Sequence, residues 1–372
     1  NGKKIICNLE GANLIYGIAT VLLKNCSLTG KVSADYYIFE TDERFLPLIK
    51  EQLHAKNLLI TNLQKDQVQR NGDPDFIYRK LKSVISEDMT LFVNNDEPRS
   101  ASLGDLSNKV ITYGVEKHLQ AFNKDETYPS MACPRCGHGI KFRYYNNDNI
   151  GKFECRHCDF KSAEEADYQI RDINFENGSF TYNGKLFSMP YNTPFMLYNY
   201  ASAIAVAREM LNLSDEDICK SFNNFKNISG RIEFIKRGDK TIHYMRIKQE
   251  NPETLQTAIN VMANDDQKKV VCIGLGHLPD FVPYYTNSFY AFDCDFSKLV
   301  KTDVEKYFVY STVVNYDTAN RLIYEGVDPD KIEIIDTDDF ASFVDRIDEC
   351  EARKVYMITF LMMFDELGKL SK

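Results

Sequence analysis

Two cysteine pairs, Cys133-Pro134-Arg135-Cys136 and Cys155-Arg156-His157-Cys158, stand eighteen residues apart. This C-x2-C-x18-C-x2-C spacing is that of a four-cysteine zinc site. Each pair can turn two thiolates to one side of a tight loop, and two such knuckles close a tetrahedron around Zn²⁺. Gly137 follows the first pair, where a sharp turn favours a residue without Cβ. The stretches 140–145 and 151–154 read as two short strands, giving a zinc ribbon. Four thiolates (Cys133, Cys136, Cys155 and Cys158) leave no open coordination position, so the expected metal role is structural. His138 and His157 stand beside the ligands and are expected outside the coordination sphere. The alternative reading is four unrelated reduced cysteines.

The remaining cysteines, Cys7, Cys26, Cys219, Cys272, Cys294 and Cys350, show no framework spacing. Together with a zinc site they point to a reducing compartment rather than to disulfides. A net charge of −9 and a pI near 5.3 argue against bulk nucleic-acid binding. No apolar run approaches the roughly 18 residues of a membrane span. The chain opens at Asn1 on what reads as a strand in mid-sheet, so it is expected to be a fragment of a longer protein.

Short apolar strands alternate with helices from the start. Strands are expected at 4–8, 36–39 (buried), 57–62, 89–94 and 110–114, with helices at 14–23, 44–54 and 76–86. This alternation predicts a parallel α/β sheet. Glu40, Asn62, Asn94 and Asp96 fall at strand C-termini, the edge where open α/β sheets bind ligands. Stretches 167–174 and 178–189 read as antiparallel strands, 192–213 as a packed helix, and Ser214 as the cap of the next helix. A second α/β unit of Rossmann-like kind is expected from about residue 230. Its strands fall at 231–236, 242–248, 270–275, 307–310, 332–335 and 355–358, with helices at 252–262, 317–325, 338–348 and 361–370.

Several motifs follow one another along the chain: Glu10-Gly11-Ala12-Asn13, Glu40-Thr41-Asp42-Glu43, the 61–72 stretch from Thr61-Asn62 through Asp66-Gln67 to Arg70-Asn71-Gly72, Asn94-Asn95-Asp96-Glu97-Pro98, the ribbon, Tyr198-Asn199, Gly230-Arg231 and Asp293-Cys294-Asp295-Phe296. Their order resembles the Mur ligase family, and within it the Mur-ligase-like subunit of lipid II isoglutaminyl synthase. The resemblance implies a central ATP-binding domain over 1–228 with the zinc ribbon inserted at 130–162, and a C-terminal domain over 229–372. It also implies ATP and Mg²⁺ as cofactors beside Zn²⁺. Glu40 would help hold Mg²⁺, a hard cation that takes carboxylate oxygens, and Asn62, Asp66, Asn199 and Arg231 would contact the nucleotide. Asp66 and Arg70 could equally form a loop ion pair.

The activity so implied is amidation of the D-glutamate α-carboxylate of lipid II through an acyl phosphate. Ammonia would come from a separate GatD-type glutaminase. A carboxylate is a poor electrophile, and phosphorylation gives it a leaving group while cations neutralise developing charge. A lipid-linked substrate places the work in the cytoplasm at the inner membrane face. The chain departs from the family at two places. The phosphate-binding loop is expected upstream of Asn1. Asn287 stands where the family carries a catalytic aspartate, keeping the shape of that residue but not its charge; Glu250 likewise replaces a usual lysine. The rival readings are a non-catalytic paralogue acting as a scaffold, a ligase that adds an amino acid, and a nucleic-acid binder using Arg135, Lys141, Arg143, Lys152 and Arg156.

Overall fold

The computed structural model of the 372-residue chain describes residues 2–9, 11–65, 73–124, 127, 130–225, 232–246, 252–275, 293–310, 315–335 and 340–359. The chain begins with β1 (Ile5–Cys7), α1 (Ile15–Lys24), β2 (Tyr36–Ile38), α2 (Leu46–Leu53), β3 (Asn57–Ile60), α3 (Pro74–Val84), β4 (Thr90–Asn94), α4 (Pro98–Leu103) and β5 (Lys109–Val115). A hairpin of β6 (Ile140–Asn147) and β7 (Ile150–Cys155) follows, then β8 (Tyr168–Asn174), β9 (Ser179–Tyr182), β10 (Lys185–Ser188), α5 (Pro194–Glu209) and α6 (Asp215–Asn224). The remainder comprises β11 (Ile232–Arg237), β12 (Lys240–Arg246), α7 (Pro252–Ala263), β13 (Lys269–Gly274), β14 (Val304–Tyr310), α8 (Asn315–Tyr324), β15 (Ile332–Ile335), α9 (Phe340–Asp348) and β16 (Lys354–Thr359).

Two six-stranded sheets organise these elements. The first runs β10-β9-β8-β5-β4-β3, parallel from β8 to β3. Helix α5 covers it with Leu197, Ala201, Ile204 and Ala205, all fully buried. Its small residues let the helix approach the sheet closely, and Phe180, Phe187 and Tyr200 fill the space at its flank. On the other side α3 presents Ile77, Leu81 and Val84 at helical spacing. Asp73 caps that helix by accepting from the Asp75 amide at 2.7 Å, and Pro74 sits at its first position, where no amide partner is lost. The second sheet runs β11-β12-β16-β13-β14-β15, parallel except for the β11–β12 hairpin. Every residue of β13 is buried, as a strand covered on both faces requires.

Three expectations change. Among the described residues, strands β1 and β2 pair only with each other, as a separate two-stranded sheet. The 36–39 segment is therefore not a buried strand: Tyr37 and Ile38 are each 45% exposed. The 178–189 stretch is two strands, because Asn183-Gly184 carry positive φ and turn the chain back on itself. Strand β8, read as antiparallel, joins β5 in parallel and only its other edge in antiparallel. The expected helix at 361–370 lies outside the described residues.

Candidate functional site at the strand edge

Strands β3, β4 and β5 end side by side, and their ends are tied by side chains of β4 and β5. Asn94 donates Nδ2–H to the Thr61 carbonyl at 3.2 Å, and its Oδ1 accepts from the Asp96 amide at 3.0 Å. The buried Tyr113 hydroxyl donates to Ile60 O at 2.6 Å. Glu97 is a buried N-cap: one carboxylate oxygen accepts from the Arg99 amide at 3.1 Å, the other from Ser100 at 2.7 Å. Burial pushes the Glu97 carboxyl up, with Arg99 and the amide donors opposing.

Asp96 is the centre of this edge. Its side chain is fully buried and pairs with Lys152 Nζ at 3.1 Å, itself 6% exposed. The same oxygen accepts from Asn95 Nδ2 at 3.2 Å. The other accepts from the Val115 amide and the Tyr198 hydroxyl, each at 3.1 Å. Burial, reinforced by the Asp96 charge, holds the Tyr198 phenol far above its ordinary range, so it remains a donor. Tyr198 accepts in turn from Asn146 Nδ2 at 3.2 Å. Gly114 makes the room, since a Cβ there would sit 2.9 Å from Gln169 Oε1 and 3.3 Å from Asp96 Oδ2.

The four cysteines close the far end of the β6–β7 hairpin. All four Sγ atoms lie within 4.8 Å of one another. Cys133 and Cys158 are 3.8 Å apart and Cys136 and Cys155 3.5 Å. A tetrahedral metal with bonds of about 2.3 Å needs sulfur separations of about 3.8 Å, so these residues fit zinc. Burial opposes ionisation of Cys155, but the Cys158 and His157 amides, 3.5 and 3.4 Å from its sulfur, outweigh it and hold the thiol down to about 6. Burial pushes Cys133 up to about 12. Gly137 adopts φ +77°, the left-handed turn that its position suggested. His138 and His157 stack face to face at 3.8 Å and, with Cys136, form a second exposed cluster. Arg135 lies over the Phe160 ring and grips Asp105 with two nitrogens at 2.6 and 2.7 Å, fastening the knuckles to the turn between α4 and β5.

Residues 249–363 match the family model described as MurT ligase C-terminal. The subunit MurT of lipid II isoglutaminyl synthase (glutamine-hydrolyzing) from Staphylococcus aureus is 28% identical over 316 residues, covering 84% of this chain and 69% of that protein. The corresponding subunit from Streptococcus pneumoniae is 25% identical over 386 residues, covering 98% and 80%. The chain is thus similar to MurT-like Mur ligases over most of its length. Solved structures agree at the level of fold: a pseudomurein peptide ligase type C from Methanothermus fervidus superposes with a TM-score of 0.68 at 16% identity, over 99% of this chain and 72% of that one. MurF from Acinetobacter baumannii gives 0.64 at 14%, over 99% and 70%.

Against this Mur ligase frame, the residues singled out from the sequence are spread unevenly. Asn62 is exposed just beyond the tied end of β3. Asn199 is half-buried on α5, beside Tyr198, with Nδ2 3.4 Å from Met196 Sδ. Glu40 follows β2, on the separate small sheet. The buried Asn8 fixes its backbone, accepting from Glu40 N at 2.9 Å and donating to Glu40 O at 2.8 Å, and leaves the carboxylate exposed. Asp66, Arg231 and Asn287 lie outside the described residues, as do Glu10, Arg70, Gly230 and Glu250. Asp96 was expected among the acids open to a ligand; instead both its oxygens are committed within the protein. Lys152, read from the sequence as one of the cations of a nucleic-acid binder, is instead buried against Asp96, and the sequence reading does not single out Asn146. The available signal was a lysine on the short β7 strand between two otherwise buried neighbours, Gly151 and Phe153.

The second sheet meets this edge through α7. Thr257 Oγ1 lies 3.0 Å from Asp148 Oδ2 and 3.2 Å from Asn147 Oδ1, at the turn of the hairpin. A cleft of about 470 Å³ opens there, lined by Phe122, Asn146, Pro194, Asn260 and Lys298 among others. Among the described residues no helix is long and apolar enough to cross a membrane.

Proposed function

We propose that this chain is the ligase subunit of an ATP-dependent amidating enzyme, converting the D-glutamate α-carboxylate of lipid II to D-isoglutamine through an acyl phosphate. On this reading residues 1–228 form the central ATP-binding domain, residues 229–372 the closing C-terminal domain, and 130–162 a zinc ribbon held by Cys133, Cys136, Cys155 and Cys158. Ammonia comes from a GatD-type glutaminase on a separate chain, and the work is done in the cytoplasm at the inner membrane face. The observation that carries the reading is the span of the likeness, which runs through 84% and 98% of the chain against two subunits of that named function.

The chemistry divides between bound groups and side chains. ATP with Mg²⁺ supplies the phosphoryl group that turns a carboxylate into an electrophile. Glu40 offers an exposed carboxylate to the cation. Asn62 and Asn199 offer amide groups to the nucleotide from two sides of the strand edge, joined by Asp66 and Arg231. Asn287 stands where a charged partner would orient the amidotransfer step. The β4 end holds Asn62 and Asn199 in register, because Asn94 anchors the residue before one and Asp96 the residue before the other.

The test is the full-length protein with its cognate glutaminase, glutamine, ATP, Mg²⁺ and lipid II, with conversion of carboxylate to amide followed by mass spectrometry. An ATP-dependent amide product is expected, and ammonium salt should replace the glutaminase. Incorporation of an amino acid instead would make the chain an adding ligase. No ATP-dependent product under either nitrogen source would leave the scaffold reading.

A further inference from the structure

The four-cysteine hairpin does more than hang from the sheet: it grips two consecutive residues, Asn95 and Asp96, just past the end of β4. Asn95 is held by the segment just after the second knuckle, donating Nδ2–H to Ala163 O and accepting from Ala163 N, each at 2.9 Å. Asp96 is held by β7, through Lys152 Nζ at 3.1 Å and through its carbonyl, which accepts from Gly151 N at 2.8 Å. Lys152 Nζ also donates to Ala163 O at 2.6 Å, joining the two grips. The strand β7 and the 160–163 segment are the two arms of one turn. Cys155 N bonds Phe160 O at 2.8 Å, and Phe153 and Ser162 exchange further bonds. The turn between the arms is the second knuckle, with Cys155 at one end and Cys158 at the other.

Any metal bound by those thiolates therefore sets the separation of the arms. The grip they exert passes on through Asp96 to Val115 and Tyr198, and through Asn94 to Thr61. Tyr198 and Thr61 immediately precede Asn199 and Asn62, the two amides offered to the nucleotide. We infer that Lys152 is a positioning residue that couples the metal of the cysteine cluster to the nucleotide edge, so that metal and nucleotide bind with positive cooperativity. This inference rests on the nucleotide reading given above. Coupling of this kind is reciprocal: the factor by which metal tightens nucleotide is the factor by which nucleotide tightens metal.

The experiment uses the full chain with zinc as the metal and a non-hydrolysable ATP analogue with Mg²⁺ as the nucleotide. Affinity is measured by calorimetry before and after zinc extraction, and hydrogen exchange is followed at Gly151, Ala163 and Val115. Zinc removal is expected to weaken the analogue by about tenfold, a typical coupling, and to expose those three amides while the β12–β16 amides stay protected. Lys152→Met should retain zinc but lose the tenfold dependence. Because that variant strands Asp96 without a counter-charge, the neutral pair Lys152→Met with Asp96→Asn is measured alongside; it should fold, hold zinc, and show nucleotide affinity indifferent to zinc. Unchanged affinity and unchanged exchange on zinc removal would overturn the inference, as would a Lys152→Met protein with the native dependence. If the zinc-loaded native chain binds no analogue, the nucleotide reading fails instead, and loss of exchange protection at the three amides still decides whether the metal organises the edge.

Discussion

Lys65 Nζ lies 2.8 Å from Asp293 Oδ2, across 228 residues of sequence. The pair joins the loop beyond β3, at the candidate ligand edge, to the Asp293-Cys294-Asp295-Phe296 motif of the second sheet. Both side chains are substantially exposed, at 42% and 35%, so the bond adds little to folding and its use is geometric. Lys65→Glu is expected to change unfolding free energy by less than about 1 kcal/mol. It should nevertheless lengthen the mean distance between the two sheets, read by energy transfer between dyes placed on α3 and α8. The exchange Lys65→Glu with Asp293→Lys should restore the distance, and added salt should mimic the single variant. An unaltered distance in Lys65→Glu would remove the contact as a latch.

The cysteine cluster predicts metal binding coupled to proton release. Cys133 is held up near 12 and Cys155 down near 6 by their surroundings, so near neutral pH the empty cluster is only partly ionised, whereas metal requires thiolates. Binding must then release protons, and apparent zinc affinity should rise with pH. The full chain is expected to carry about one zinc, lost on Cys155→Ser, with a lower melting temperature confined to the hairpin and the β4 end in exchange measurements. Zinc uptake without proton release, measured by calorimetry in two buffers of different ionisation enthalpy, would contradict this thiol assignment.

Much of this architecture was legible because its causes are local. The run Val270-Val271-Cys272-Ile273 declares a strand buried on both faces, Ser214 declares a helix start and accepts from the Asp217 amide as expected, and the cysteine spacing declares a knuckle. Less legible was whatever depended on a distant partner. Lys152 reads as an ordinary charge on a strand until Asp96, 56 residues away, is brought against it. Tyr36–Ile38 shows the converse: an apolar run reports what a segment can bury, not what covers it. Tyr198 was seen as part of a motif, but its neighbour Asn199 carries the recognisable amide, and only the fold shows that the phenol holds the edge together.

Histidine burial predicts an acid-side loss of stability. His118 is 6% exposed, packs edge-on against Phe175 at 5.3 Å, and its ring nitrogens lack hydrogen bonds of ordinary geometry. Burial, offset only in part by the nearby Asn146 backbone, pushes its pKa down to about 4. Between the ordinary histidine value and that figure the unfolded chain is protonated and the folded chain is not. Unfolding then takes up a proton, and stability falls as pH falls through this window, by about 3 kcal/mol at its foot. His243, also down near 4 through burial and then the Lys354 charge, adds in the same direction. Urea unfolding at a series of pH values should give a shallower slope for His118→Gln and for His118→Phe than for the native chain. An identical slope in both would show that the ring is not buried as described.

Gly274 ends β13 under the ring of Tyr310 on β14. A Cβ there would lie 2.2 Å from Tyr310 Cε2 and 2.4 Å from Cζ, and the ring has no free direction in which to retreat, since its hydroxyl donates to Ile358 O at 2.7 Å and its other side meets Phe343. Gly274→Ala must therefore either displace the ring and break that bond or push β13 away from β14. Overpacking of this kind costs about 1–3 kcal/mol. Tyr310→Phe alone should cost about 1 kcal/mol by removing the hydrogen bond to the Ile358 carbonyl. Because both substitutions act on the same ring, their costs should not add: once the hydroxyl is gone the ring is freer to tilt, and Gly274→Ala should be milder in the Tyr310→Phe background. Denaturant unfolding of the two single variants and the double variant measures this coupling, and strict additivity would mean that the steric conflict is relieved elsewhere than at Tyr310.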